Sequence, residues 1–353
     1  MCHHPAPDLA THLAQWSGHE TTRDAIAITV GCIAAASIEQ AAALRRSLLR
    51  GDHEDSERAN TDGDQQRRID VEAHHAFLVA LAGCPVAAVA SEEADDIVVL
   101  DEAAPLLVAI DPLDGSANLA VDAPLGVIFS LRHAVGGAAL TAEQFLAPGS
   151  AQVAAGIVLY GPATVLAVTV GSGTDVFVLD EDDGCFRVLH HNVQVPLGTR
   201  EFAINTSNSR HWTPEMRSYI SDLVEGADGP RGNDFNMRWY GALVADAYRI
   251  LLRGGVFLYP DDGRSDYVNG RLRMVYEAQA IAMLFEQAGG AATDGVRRIL
   301  DQPVEHLHAR TPLVFGSADK VARIALRLQT PSDEPASPLF GSRGLFRQEA
   351  TKR

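Results

Sequence analysis

An uninterrupted apolar run, Leu106-Leu107-Val108-Ala109-Ile110, leads without a break into Asp111-Pro112-Leu113-Asp114-Gly115-Ser116. Apolar residues without polar alternation predict a strand buried on both faces, which demands packed layers on either side of it. Such a strand delivers two acids at its carboxyl end, where layered α/β folds gather their ligand sites. Pro112 stiffens the turn, so that Asp111 and Asp114 can face one point, and Gly115 permits a backbone conformation unusual for other residues. The amides of Gly115, Ser116 and Ala117 can then approach a phosphate. Carboxylates beside a backbone carbonyl and phosphate oxygens are the ligands magnesium prefers. Taken alone, the same run also fits a β-turn with solvated aspartates, so other acids have to decide.

Three further clusters bear on that decision. Ser91-Glu92-Glu93 follows a strand predicted over 86–90, placing two more acids at a second strand end. Gly63-Asp64 and Asp70 lie before and at the start of a helix over 70–81, with Asp70 suited to its N-cap. Glu277 stands in Met274-Val275-Tyr276-Glu277, on a long helix predicted over 272–287. Its neighbours are apolar, and an unpaired carboxylate among them is costly to bury. A metal ion resolves that cost.

The 353 residues have room for two modest domains. Helices are predicted over 23–50, 70–81, 214–223, 242–252 and 272–287, and residues 51–64 as a loop. Strands are predicted over 86–90, 97–100, 106–110, 127–131, 156–160, 165–170, 175–179, 202–205 and 255–259, and the last 24 residues as weakly ordered. A formal charge of −17, with Lys320 and Lys352 the only lysines, repels nucleic acid and anionic membranes. No apolar run of the roughly 20 residues needed to span a bilayer is expected, and the start Met1-Cys2-His3-His4-Pro5 lacks the pattern of a secretory signal. The four cysteines, Cys2, Cys32, Cys84 and Cys185, are far apart and read as reduced thiols of a cytoplasmic protein. The histidines at His3-His4, His74-His75, His190-His191 and His306/His308 have no companion ligands nearby in sequence and read as surface residues.

The ordered array of motifs from about residue 60 to 325 resembles class I fructose-1,6-bisphosphatase, in the metal-dependent, lithium-sensitive phosphatase superfamily. It includes Gly63-Asp64-Gln65, Ile69-Asp70-Val71, Ser91-Glu92-Glu93, Asp111 to Ser116, Gly161-Pro162-Ala163-Thr164, Val244-Ala245-Asp246, Gly255 to Pro260, Asn269-Gly270-Arg271-Leu272-Arg273, Tyr276-Glu277 and Ala288-Gly289-Gly290. The resemblance implies an α+β, layered α-β-α-β-α fold, with an N-terminal metal-binding catalytic domain over 1–197, a substrate-binding domain over 198–330 and a tail over 331–353. It implies Mg²⁺, with Mn²⁺ as a substitute, held by Glu92, Asp111, Asp114, Glu277 and the Leu113 carbonyl, with Asp64 contacting a third ion. Glu93 with Asp70 would activate water. Asp114, Gly115, Ser116 and Ala117 would meet the scissile phosphate. Asn205, Trp239, Tyr259 and Arg271, with Arg238 from a neighbouring subunit of a homotetramer, would meet the rest of a sugar bisphosphate.

The departures from the family pattern concern preference more than chemistry. Ala117 stands where a second serine is usual, Trp239 and Asn208 replace tyrosines, and Arg271 replaces a lysine, which differs in donor geometry. The altered pocket leaves sedoheptulose 1,7-bisphosphate, the substrate of Calvin-cycle bacterial members, as an alternative to fructose 1,6-bisphosphate. A catalytically weak sugar-phosphate sensor is the rival from another class. The AMP-responsive features of the family are missing from 26–36 and at Pro105-Leu106, which implies weak or absent AMP inhibition.

Overall fold

A computed structural model describes residues 6–50, 55–59 and 65–329. Eight strands make the first sheet: β1 (Val86–Ser91), β2 (Val98–Val99), β3 (Leu106–Asp114), β4 (Leu125–His133), β5 (Gln152–Tyr160), β6 (Thr164–Thr169), β7 (Thr174–Asp180) and β8 (Cys185–His190). Their spatial order is β8-β7-β6-β5-β4-β3-β1-β2. Only β1 and β3 run parallel; the other neighbours are antiparallel. Every residue of β3 is buried, as the apolar run predicts for 106–110, and the strand continues to Asp114 through the stretch expected to be a turn.

The second sheet comprises β9 (Glu201–Ile204), β10 (Asn236–Met237), β11 (Val256–Tyr259), β12 (Ala291–Thr293) and β13 (Leu313–Gly316), in the order β10-β9-β11-β13-β12. Helices α1 (Leu9–Ser17), α2 (Thr21–Arg50), α3 (Arg68–Leu81), α4 (Pro214–Val224), α5 (Leu243–Arg253), α6 (Gln279–Gln287) and α7 (Ala318–Gln329) complete the layers.

The two-residue period of a strand sorts the core. Leu106, Val108 and Ile110 pack with Ile26, Ile33 and Phe77 of the α1–α3 layer. Leu107 and Ala109 face Val244, Ile281 and Leu284 of the α5–α6 layer. In β9, Ala203 joins that central layer, while Phe202 and Ile204 pack with Met216, Tyr219, Val321 and Ile324 of α4 and α7. The result is the α-β-α-β-α order of an α+β layered fold.

Several expectations need correction. The long helix expected over 272–287 begins as a short strand, Leu272–Arg273, followed by a π-helical turn over Met274–Ala278 before α6 starts. Leu272 and Arg273 instead pair with Thr311 and Arg310. Asp70 lies inside the first turn of α3, two residues past its start, and so is not the N-cap. A strand at Asp55–Ala59 falls within the stretch expected to be loop, and pairs with Gln65–Arg67. Helix α1 and strand β8 have no counterpart in the sequence reading. Within α2, Thr21–Ser47 is long and apolar enough, by length and composition, to cross a membrane, and 56% of its most apolar window is buried inside the protein, as in a core helix. Cys32 and Cys84, 52 residues apart, form a disulfide with their Cα atoms 7.1 Å apart, against the expectation of free thiols. Spacing along the chain concealed that pair because the packing of α2 against α3 brings the two cysteines together. The expectation for the last 24 residues falls outside the described residues.

Candidate active site

The carboxyl ends of β1 and β3 open into a cavity of about 410 Å³. Parallel pairing aligns Ser91 with Ile110, and the Glu92 amide extends the ladder by donating to the Ile110 carbonyl at 3.1 Å. Glu92 and Asp111 are thereby brought side by side. Residues three apart on a regular strand face opposite sides, yet Asp111 and Asp114 both line the cavity. The reason is a bulge: Asp111 pairs with Ile128 and Asp114 with Gly126, so one extra residue is inserted around Pro112.

Ligand oxygens of Asp111, Asp114 and Glu277 all lie within 4.8 Å of one another, and all three residues are buried. Burial raises the pKa of Asp111 well above the usual carboxylate range, with Glu92, Asp114, Glu277 and Glu93 adding repulsion. Glu277 is raised in the same way, chiefly by burial and then by Glu92 and Asp114. Asp114 is pushed up to about 7, again mainly by burial, although amides of Val244 and Leu243 act against the rise. The Val244 N–H donates to Asp114 Oδ2 at 2.8 Å. Helix α5 has no side-chain cap of its own, so the Asp114 carboxylate from β3 serves its positive N-terminal end. Like charges this close in a low dielectric need a cation or protons. A set of hard oxygen donors fits a divalent cation of the magnesium class.

Glu277 is held by its place in the π-helical turn, a feature often found at functional sites. Its Oε2 accepts the Arg273 amide at 2.5 Å. The Glu93 amide donates to Ser91 Oγ at 3.3 Å, and that hydroxyl also lies 2.9 Å from His74 Nδ1. Asp70, on the first turn of α3, reaches the same cavity. Next to Asp114, Gly115 has φ +76°, and a Cβ there would sit 2.6 Å from Ala242 Cβ. Only glycine fits this close approach. Ser116 and Ala117 then open a 3₁₀ turn on the cavity wall.

Asn205, Trp239, Tyr259 and Arg271 line the far end. Trp239 stacks on Phe257 at 5.5 Å and lies 6.0 Å from Tyr259, so the wall there is aromatic. Asn205 Oδ1 accepts from the Ser207 amide and hydroxyl. Asn208 accepts from Arg264 at 3.2 Å and is not among the lining residues. Arg238 is exposed and does not line the cavity of its own chain. Asp64 lies outside the described residues.

Comparison with known proteins agrees with this geometry. The family model for the fructose-1,6-bisphosphatase N-terminal domain matches residues 18–191, and that for the C-terminal domain matches 195–329. The chain belongs to the class 1 fructose-1,6-bisphosphatase family. It is 49% identical to a protein of that name from Methylorubrum extorquens, over 96% of this chain and 97% of that one. It is 46% identical to one from Rhodopseudomonas palustris, over 98% and 99%. The holo crystal structure of Leishmania major fructose-1,6-bisphosphatase superposes with a TM-score of 0.85 at 29% identity, covering 92% of this chain and 99% of that one.

Two arginines to which the sequence reading assigned no role also line the cavity. Arg273 is buried, lies 3.3 Å from Glu92 Oε1 and donates to the His308 carbonyl. Arg310 stands directly opposite it on the paired strand. Like charges across a ladder are unfavourable unless an anion lies between or beside them. The spacing Arg271-Leu272-Arg273 held the signal, since alternate residues of a strand share a face, but a helix expected over that stretch hid it.

Proposed function

We propose that this chain hydrolyses the 1-phosphate of fructose 1,6-bisphosphate to fructose 6-phosphate and phosphate, as a Mg²⁺-dependent phosphoric monoester hydrolase. The observation that carries the reading is the convergence of buried Asp111, Asp114 and Glu277 beside an arginine-bearing cavity, in a chain of this family. Glu92, Asp111, Asp114, Glu277 and the Leu113 carbonyl would hold divalent ions, with Mn²⁺ able to substitute and Asp64 contributing to a third. Bound there, such ions would neutralise the phosphate oxygens and the leaving oxygen.

The protein's part is positioning and proton transfer. Glu93, anchored through its amide to Ser91 Oγ, would take a proton from water with Asp70 orienting it. Amides of Gly115, Ser116 and Ala117 would cradle the scissile phosphate. Asn205, Trp239, Tyr259 and Arg271 would hold the distal end, completed by Arg238 of a neighbouring copy in a homotetramer. In this division the catalytic part spans 1–197 and the substrate-binding part 198–330, followed by the 331–353 tail. We assign the enzyme to cytoplasmic carbohydrate metabolism, in gluconeogenesis or the Calvin cycle.

Ala117 and the aromatic wall at Trp239 alter contacts to the sugar phosphates, which leaves sedoheptulose 1,7-bisphosphate as the alternative substrate. Phosphate release is to be measured from both bisphosphates with Mg²⁺, with and without AMP. Turnover of fructose 1,6-bisphosphate is expected, with weak or absent inhibition by AMP. Absence of release from either sugar would leave the sensor reading.

A further inference from the structure

Away from the catalytic cavity, α1 lays His12 against the β7–β8 hairpin. His12 Nε2 lies 2.9 Å from Asp175 Oδ2, and His191 Nδ1 lies 2.7 Å from Asp175 Oδ1. Donor atoms of all three side chains fall within 4.8 Å of one another, and the two imidazole rings are 5.8 Å apart. Helix α1 supplies the first, and the two ends of the hairpin, the start of β7 and the residue after β8, supply the others. That separation explains why His190-His191 shows no companion ligands when read along the chain.

The cluster is supported from behind and open in front. The His12 ring packs edge-on against Phe177 at 5.3 Å. Asp175 is only 13% exposed and accepts the Asn192 amide at 2.7 Å, so one of its oxygens has an outer partner that fixes the carboxylate. Asn192 has φ +49°, a left-handed bend that asparagine tolerates. Helix α1 is tied beside β8 by the Val188 amide donating to the Pro7 carbonyl at 3.1 Å. His191, 72% exposed, faces solvent.

We propose that His12, Asp175 and His191 form a second metal centre, taking one zinc-class divalent cation with water in the remaining position. Two imidazoles and one carboxylate suit zinc, cobalt or nickel, whereas magnesium prefers all-oxygen sites. Ligand atoms around tetrahedral zinc lie about 3.3 Å apart, given bonds of roughly 2.0–2.1 Å. The imidazole–carboxylate contacts, at 2.9 and 2.7 Å, are hydrogen-bond distances that open slightly to that value, a movement the exposed His191 side chain can make. On binding, the N–H that each ring directs at Asp175 leaves that nitrogen, for the other ring nitrogen or for solvent, and both imidazoles ligate as neutral donors. The ion would cross-link α1 to the hairpin and so fasten the outermost helix to the edge of the first sheet.

The test uses full-length enzyme stripped of metal and then held in millimolar Mg²⁺, which occupies the oxygen site. Titration with Co²⁺ is followed by visible absorbance and titration with Zn²⁺ by equilibrium dialysis and thermal melting. One equivalent with a tetrahedral cobalt band and a raised Tm is expected for the native enzyme. His12→Gln and His191→Ala should each weaken binding by more than about 100-fold, beyond what loss of an outer partner costs. Their Mg²⁺-dependent phosphatase turnover should match that of the native enzyme, which also shows that they fold. Failure of the native enzyme to bind either ion under Mg²⁺ would overturn the proposal. So would undiminished binding in both histidine variants.

Discussion

Asp114 offers the sharpest separation of stability from catalysis. Its carboxyl is raised from 3.8 to about 7, chiefly by burial. At 1.36 kcal/mol per unit, the rise costs the metal-free fold roughly 4 kcal/mol once the group is ionised. The sign follows from proton binding: between pH 4 and 7 the native state holds more protons than the unfolded chain, so stability falls as pH rises through that window. Above pH 7 the penalty is complete and flat. Asp114→Asn removes the charge while its carbonyl can still accept the Val244 amide that caps α5. The variant should therefore be more stable than native enzyme without metal, by up to roughly 4 kcal/mol at pH 8 and by less than half as much at pH 5. Saturating Mg²⁺ should reverse the order, since only the native cluster gains the full linkage energy of the bound cation. Urea unfolding in EDTA and in Mg²⁺ at the two pH values, alongside turnover, measures all of this. A metal-free Asp114→Asn protein no more stable than native at pH 8, or one that retains full turnover, would refute the reasoning.

Other perturbations test separate parts of the structure. Gly115→Ala meets both φ +76° and a Cβ 2.6 Å away; it should cost about 1–3 kcal/mol in urea unfolding and lower kcat by at least about tenfold. Arg273→Met removes the buried counter-charge of Glu92; a loss of roughly 3–5 kcal/mol is expected by chemical denaturation, together with a raised KM. Thiol titration of denatured, unreduced protein should find no more than two reactive groups, Cys185 among them, because Cys32 and Cys84 are joined. Cys32→Ser should lower stability by up to about 4 kcal/mol on the chain-entropy account of a 52-residue loop; four free thiols would exclude the bond.

The elements that could be read from sequence were those with one dominant signal. The apolar runs that open β1 and β3, at 86–90 and 106–110, need no context, because burial on both faces leaves no polar residue to interrupt them. The 272–287 segment misled for a physical reason. Its apolar spacing is helical from Met274 onward, but a two-residue strand precedes it and the first helical turn is widened. Side-chain periodicity does not register a π turn, which changes backbone pairing more than which residues are apolar. Helix α1 is short and carries polar residues on its outer face, so it forms by packing on α2 and β8 rather than by propensity.

At the site, the acids were legible and the manner of their convergence was not. Asp111 and Asp114, three apart, would diverge on an unbroken strand; the bulge at Pro112 turns them together, and only strand pairing reveals it. Glu277 was legible as an acid among apolar neighbours, since a cation or a proton is needed to make that burial tolerable. The arginines escaped because their meaning depends on partners. Arg273 balances Glu92, 181 residues away, and faces Arg310 across a ladder that no local pattern predicts. The same logic separates the two clusters with metal-ligating geometry. In the cavity, Glu92 and Asp111 sit at the ends of two adjacent parallel strands, so topology alone brings them together. His12, Asp175 and His191 meet only after an outer helix docks on the far edge of the sheet. A ligand set built on strand ends survives as long as the sheet does, whereas one built on docking persists only while α1 stays in place. Loss of α1 docking should therefore abolish zinc-class binding and leave the oxygen site able to take Mg²⁺.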